Sequence, residues 1–187
     1  MTTFSLRVIA GSLKGRRLKA PTWEGLRPTS EKLRETLFNI LAPRIAGASV
    51  LDGYAGTGAL GIEAISRGAA MVTFVEADRR AQALIADNLA HCGVENGYAI
   101  VRGRIESAIE NVAVSSIDLA LFDPPYDTAA ADVATVIAGT ADLLTPGGVL
   151  ILEHAKRRPS PEGAGTLVRG RQVISGDSAL SFYSCPL

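Results

Sequence analysis

Gly56, Gly58 and Gly61 stand in the spacing G-x-G-x-x-G inside the run Val50-Leu51-Asp52-Gly53-Tyr54-Ala55-Gly56-Thr57-Gly58-Ala59-Leu60-Gly61. A short apolar strand precedes this run and a helical pattern follows it. Glycines at such a joint let the backbone approach a ligand closely and let the helix pack tightly on its strand. That constrains the fold to a strand–helix alternation with a crevice at the carboxyl ends of the strands. The rest of the chain agrees. Strands are expected at Ala48–Leu51 (ending at Asp52), Ala70–Val75 (ending at Glu76), Tyr98–Val101, Ile117–Phe122 (ending at Asp123) and Val149–Glu153. Helices are expected at Ala59–Arg67, Arg79–His91 and Ala129–Leu144. Alternation at this spacing means a parallel sheet covered by helices on both faces. After a Pro/Gly-rich loop, Thr166–Ile174 and Leu180–Ser184 read as an antiparallel hairpin closing the sheet.

Upstream of this core lie a β-like segment at Phe4–Ala10, a turn at Gly11 and Gly15, and a return at Arg16–Ala20, a basic hairpin. Pro21–Pro28 reads as loop. Thr29 or Ser30 then caps a helix that carries Leu33, Leu37, Phe38, Ile40 and Leu41 and ends at Pro43. The 187 residues carry a formal net charge of zero, yet residues 1–34 hold +6 and the remainder −6. A basic arm on an acidic body suits a phosphate backbone. The expected division is residues 1–28 as an RNA-contacting arm and 29–187 as the catalytic domain. No apolar run has membrane-spanning length, and the first residues lack a signal-peptide core, so a cytoplasmic protein is expected. Cys92 and Cys185 are too few for a metal cluster, and no metal is expected.

The acids at the strand ends separate the possible ligands. A carboxylate at Asp52, just before the loop, suits the cationic amino end of a methionine better than a pyrophosphate. Glu76 ends the next strand, where it can accept hydrogen bonds from both hydroxyls of a ribose. Together they point to S-adenosylmethionine, held by Asp52, Tyr54, Ala55, Gly56, Thr57, Gly58, Glu76 and Ala77. Arg104 and Ile105 stand where an adenine-reading residue is expected, and the Ile105 backbone is the contact offered there.

Asp123-Pro124-Pro125-Tyr126 follows the fourth strand and faces the same crevice. An aromatic amine is a poor nucleophile because its lone pair is delocalised into the ring. A carboxylate and a carbonyl that each accept one of its hydrogens localise the lone pair and aim it at a sulfonium methyl. The prolines fix the backbone that presents the carbonyl, and Tyr126 can stack on an extruded base. The catalytic set is therefore Asp123, Pro124, Pro125 and Tyr126, with Asp123 also at the edge of the cofactor site.

Four blocks carry a resemblance to the bacterial 16S ribosomal RNA guanine-N2 methyltransferases of the RsmD family. They are Arg7-Val8-Ile9-Ala10-Gly11 with Lys14-Gly15-Arg16-Arg17; Leu26-Arg27-Pro28-Thr29 with Arg34-Glu35-Thr36-Leu37-Phe38-Asn39; Asp52 through Glu63; and Asp123 through Tyr126. A weaker match lies at Gly176-Asp177-Ser178-Ala179-Leu180. The resemblance implies a Rossmann-like class I methyltransferase fold with a seven-stranded, mostly parallel sheet and a small N-terminal hairpin. Its implied substrate is a guanine of 16S rRNA in the small subunit or an assembly intermediate; separately, a monomer is expected. It adds Phe38 and Asn39 to the cofactor pocket and assigns Arg7, Lys14, Arg16, Arg17 and Arg27 to RNA phosphates. The chain departs from its relatives at Arg104-Ile105. Three other readings stand beside this one. A DNA adenine-N6 or protein-glutamine methyltransferase would need a target-recognition region larger than the hairpin. A nicotinamide-dependent oxidoreductase leaves Asp123 through Tyr126 without a purpose. An inactive RNA-binding module has no use for the set Asp52, Glu76 and Asp123. His91, His154, Trp23 and the run Lys156-Arg157-Arg158 receive no catalytic role.

Overall fold

A computed structural model describes residues 6–23 and 29–186. Helix α1 (Glu31–Ile45) opens the domain, followed by β1 (Ser49–Asp52), α2 (Ala59–Ser66), β2 (Met71–Glu76), α3 (Arg79–His91) and β3 (Tyr98–Arg102). Then come α4 (Ile105–Ile109), β4 (Ile117–Phe122), α5 (Ala130–Thr140), a 3-10 turn at Ala141–Leu143, and β5 (Leu144–Ala155). Strands β6 (Gly163–Ala164), β7 (Leu167–Ser175) and β8 (Ser178–Ser184) complete one sheet of order β3-β2-β1-β4-β5-β8-β7-β6. β1 to β5 run parallel and the last three strands antiparallel. The sheet thus has eight strands rather than seven, the additional one being the two-residue β6.

Side chains alternate across each central strand, as a pleat requires. Val50, Leu119, Leu121 and Ile151 point into a core shared with α1, α2 and α3. Leu51, Ala120, Phe122, Leu150 and Leu152 point into a second core shared with α4 and α5. These apolar runs are buried on both faces, which is why they read as nearly continuous hydrophobic sequence. The order reverses between β1 and β4, where Asp52 pairs in register with Leu121. The carboxyl ends of these two strands diverge there, and such a reversal opens the ligand crevice of a doubly wound sheet.

Several elements differ from the sequence expectation. α1 is capped by Ser30, whose Oγ accepts the Leu33 N–H at 3.2 Å, and it runs through Pro43 to the buried Ile45. α5 ends at Thr140 and continues as the 3-10 turn. β5 starts at Leu144, paired with Ile117, before the register shifts to Leu119 and Val149. Helix α4 stands between β3 and β4, a stretch to which the sequence pattern assigns no element. Its buried Ile105, Ala108 and Ile109 share one face, but five residues are too few for a periodic pattern to stand out.

The N-terminal hairpin is present in its hydrogen bonds but not as two strands. Val8 N–H donates to Arg16 O at 2.9 Å and Leu18 N–H to Leu6 O at 2.8 Å, around a single bridge pair, Arg7 and Arg17. The ladder stops because the next donors are taken elsewhere: Ile9 and Ala10 N–H bond the Glu63 carboxylate of α2 at 2.7 and 3.0 Å. Leu6, Val8 and Leu18 are buried in the α1–α3 core. Asn88 of α3 accepts the Lys19 N–H at 2.7 Å, and Arg34 of α1 donates to Arg7 O at 2.5 Å.

Candidate active site

The chain leaves β1 at Asp52 and turns at once. Gly53 N–H bonds Leu121 O at 2.9 Å, Ala55 N–H bonds Val75 O at 3.1 Å, and Gly58 N–H bonds Ala55 O at 2.7 Å, so the loop is tied to β4 and β2 before α2 begins. Gly58 caps α2 in the left-handed region (φ +78°), which favours glycine. Gly61 matters for space: a Cβ there would stand 2.1 Å from the Phe74 ring, so α2 lies directly on β2. Asp52, 1% exposed, fixes this joint by accepting the Gly61 N–H on Oδ2 at 2.9 Å. From α3, Asn88 Nδ2 donates to Thr57 O at 3.0 Å.

Glu76 ends β2 and Asp123 follows β4, so the acids stand at the ends of three adjacent strands, β2, β1 and β4. Glu76 accepts Gly56 N–H on one oxygen and Asp78 N–H on the other, both at 2.8 Å. A carboxylate has about four acceptor positions, so it keeps capacity for two hydroxyls. Asp123 Oδ2 accepts from the Thr29 hydroxyl at 2.9 Å. Burial pushes the Asp52 carboxyl up to about 7 against the pull of the Gly61 N–H, and the charges of Asp123 and Glu76 push in the same direction as burial. Burial likewise raises Asp123 to about 6, opposed by the Thr29 hydrogen bond. Negative charge is costly in this crevice, and a cation placed there would relieve it. The donor set therefore fits S-adenosylmethionine: acids for its cationic end, a diol acceptor in Glu76, and a glycine cradle between them.

The other expected residues distribute as follows. Tyr54 meets Phe122 edge-on at 5.9 Å, and burial pushes its phenol up to about 12. Ala55 and Thr57 are buried in the loop, while Ala77 is exposed beside Glu76. Ile105 is buried and opens α4, with its Cδ1 3.1 Å from where a Gly53 Cβ would be. The structure does not bring Arg104 into the crevice; it is turned to solvent and paired with Glu106 at 3.3 Å. It leaves Phe38 outside as well. That ring is fully buried in the α1–α3 core under the Arg67 guanidinium, 5.2 Å from its centroid, because the apolar face of α1 packs inward. Asn39 is exposed on α1.

In the motif after β4, Pro124 is buried and Pro125 exposed. The Pro125 carbonyl accepts Thr128 N–H at 2.9 Å, whereas no hydrogen bond among the described residues reaches the Pro124 carbonyl. Tyr126 is 44% exposed. Its hydroxyl lies 3.2 Å from Ser178 Oγ, and its carbonyl accepts from Arg158. Sequence reasoning gave Thr29, Arg158 and Ser178 no place here. Thr29 was read as a helix cap, and each contact joins segments far apart in the chain.

Of the residues assigned to RNA, Arg7 is exposed and paired with Glu31 at 2.8 Å, and Lys14, Arg16 and Arg17 are exposed on the hairpin. Arg27 lies outside the described residues. The hairpin turn docks on Ser66 at the end of α2 remote from the glycine loop, through Ser12 N–H to Ser66 O at 2.8 Å. Trp23 carries the Arg80 guanidinium over its ring at 5.0 Å. Both cysteines are free, no acid, Cys and His cluster suited to a metal occurs among the described residues, and no helix there is long and apolar enough to cross a membrane.

Residues 6–184 match the family described as Conserved hypothetical protein 95. The chain is 35% identical over 156 residues to the ribosomal RNA small subunit methyltransferase D of Haemophilus influenzae, covering 82% of this chain and 81% of that one. It is 32% identical over 178 residues to the protein of the same name from Escherichia coli, covering 95% and 89%. Among solved structures, the Escherichia coli protein yhhF superposes with a TM-score of 0.84 at 30% identity, covering 97% of this chain and 98% of that one.

Proposed function

The chain belongs to the family described as Conserved hypothetical protein 95, the RsmD family, and from that premise we propose that it methylates the exocyclic N2 of a guanine in 16S ribosomal RNA. The observation that carries the proposal is the pairing of the Asp123 carboxylate with the adjacent Pro124 carbonyl, which no described residue occupies, beside the glycine-loop crevice. S-adenosylmethionine is the cofactor and supplies the methyl group on a sulfonium. Glu76 holds hydroxyls of its ribose, and Asp52 and Asp123 balance its positive charge. The two acceptors of the motif each take one hydrogen of the guanine amine and so turn its lone pair toward the methyl. Most of the acceleration then comes from positioning and from acceptors oriented in advance. As the nitrogen–methyl bond formed, the methyl–sulfur bond would break and leave a neutral thioether; the nitrogen would then be cationic and acidic, so its proton would pass to solvent with no strong base. Tyr126 stacks on the extruded base, a contact worth about 1–3 kcal/mol. Substrate selection rests on folded RNA within the subunit, because the hairpin is too small to read sequence by itself.

The test is transfer of labelled methyl from S-adenosylmethionine to small subunits from cells lacking such an enzyme, followed by nucleoside analysis. N2-methylguanosine is the expected product, and Asp123→Ala abolishes it even at S-adenosylmethionine concentrations that saturate the variant. Label confined to duplex DNA or protein would overturn the ribosomal reading.

A further inference from the structure

We infer that the turn Lys156-Arg157-Arg158, at the carboxyl end of β5, is a phosphate-binding lobe that holds the RNA backbone next to the target base. The inference rests on the reading of the crevice as an rRNA methyltransferase site and names a contact which that reading did not include.

Its placement comes first. β5 neighbours β4 in parallel, so its end lies beside the motif that follows β4, and β8 begins at the same edge with Ser178 opposite Ala155. The turn is held from both sides. Lys156 N–H bonds Asp177 O at 2.8 Å and Arg158 N–H bonds Ala155 O at 2.9 Å. His154 Nδ1 lies 2.8 Å from Arg158 O, and its Nε2 lies 2.9 Å from the buried Ser181 hydroxyl. Polar contacts between β5 and β8 thus fix the turn, which lets a cation sit in one place without a further loss of backbone freedom on binding.

Charge comes second. Three arginines, Arg7, Arg80 and Arg104, are paired with the carboxylates of Glu31, Asp78 and Glu106, and Arg102 at the end of β3 donates to Gln82. Lys156, Arg157 and Arg158 are exposed, and none of them forms an ion pair among the described residues. Arg158 spends part of its guanidinium on the Tyr126 carbonyl, which ties the turn to the residue that receives the base. Lys156 and Arg157 remain for phosphate.

Need comes third. An extruded nucleotide must be held by its own phosphates, because contacts to the backbone set register and orientation. The cations of the hairpin turn, Lys14 and Arg16, cannot do this locally, because the turn docks at the far end of α2, an eight-residue helix about 12 Å long.

The experiment is steady-state methylation of small subunits by the full chain and by the double variant Lys156→Ala/Arg157→Ala, across a salt series. Each phosphate neutralised contributes about 0.7 to 0.9 to the logarithmic salt slope. The variant is expected to raise KM for subunits about tenfold and to flatten the slope of kcat/KM by about 1.5. Its Kd for S-adenosylmethionine stays at the parent value, which also certifies folding. Lys156→Arg/Arg157→Lys keeps both charges and recovers the parent KM. Arg44→Ala, at the amino end of β5 where Arg44 bonds Gly147 O, controls for loss of charge in general. A parent KM and slope in the double variant would overturn the inference while leaving the rRNA reading intact. No methyl transfer to subunits by the parent chain would overturn that reading and the inference with it.

Discussion

Replacing Asp52 by Asn should make the protein without its cofactor more stable at pH 8 and less able to bind S-adenosylmethionine. The amide has nearly the same shape, and its oxygen can still accept the Gly61 N–H now bound at 2.9 Å. What changes is the charge. The Asp52 carboxyl is pushed from its ordinary 3.8 to about 7, chiefly by burial. Between those values the folded chain holds a proton that the unfolded chain has released. Stability from this group is therefore complete below pH 4 and is lost as pH rises toward 7. At about 1.4 kcal/mol per pH unit, ionised Asp52 costs about 4 kcal/mol at pH 8, and about 2.5 kcal/mol of that accrues above pH 5. For a domain of this size the latter is about 5–10 °C in Tm. Asp123, raised to about 6, adds a loss of the same sign over a lower window.

The assay is thermal unfolding from pH 5 to 8, with and without S-adenosylmethionine, for both proteins. Parent Tm should fall with pH and be restored by the cofactor, whose binding should release protons in calorimetry run in buffers of different ionisation enthalpy. The Asp52→Asn profile should be flatter, with a higher Tm at pH 8 and a Kd raised at least tenfold. Parallel Tm profiles would show that Asp52 is not the titrating group, and an unchanged Kd would remove its role in balancing the cofactor's charge.

Gly61→Ala puts a Cβ 2.1 Å from the Phe74 ring, and an overpacked helix–strand contact should cost about 1–3 kcal/mol in a denaturant titration. Glu63→Ala removes the acceptor of Ile9 N–H, Ala10 N–H and Arg67 Nε. With those donors unpaired, stability should drop by about 3–5 kcal/mol and the Ile9 and Ala10 amides should exchange faster than those of β1. Thr29→Val takes away the hydrogen bond that holds the Asp123 carboxyl down, so the acidic limb of the kcat–pH profile should move to higher pH. An unmoved limb would mean that Asp123 ionisation does not control the rate.

Strands and helices were legible where local pattern and burial agree. Ile117–Phe122 and Arg79–His91 have the bounds their sequences imply, because each apolar run stops at a polar residue with a job at the element's end. The placement of Asp52, Glu76 and Asp123 at the ends of β1, β2 and β4 was legible for the same reason: each acid closes a largely buried apolar run. The pattern misled where one residue could serve two faces. Phe38 lies on a helix whose apolar stripe predicts core and whose family block suggested pocket, and packing took it for the core. Arg104 has a near partner in Glu106, and an exposed ion pair costs less than burying a guanidinium without one. Thr29, Arg158 and Ser178 were illegible because their partners lie 94, 32 and 52 residues away along the chain.

The +6 charge of the first 34 residues is a weaker guide to RNA binding than it looks in the sequence. Arg7 and Lys19 are paired with Glu31 and Asp87. Arg34 is fully buried, with Nη2 on the Arg7 carbonyl and Nε and Nη1 without hydrogen-bond partners among the described residues, so its charge holds the arm to the domain and is not available to a ligand. Asn88, also fully buried, spends its amide on both Lys19 and Thr57 and so couples the arm to the glycine loop. Much of what reads as a nucleic-acid arm is therefore scaffold for the cofactor loop. Of the described hairpin cations left unpaired, Lys14 and Arg16 lie at the turn that docks on the end of α2 remote from the glycine loop. On the proposed reading the extruded base is held at Tyr126, and the turn Lys156-Arg157-Arg158, tied to the Tyr126 carbonyl through Arg158, offers exposed cations beside it.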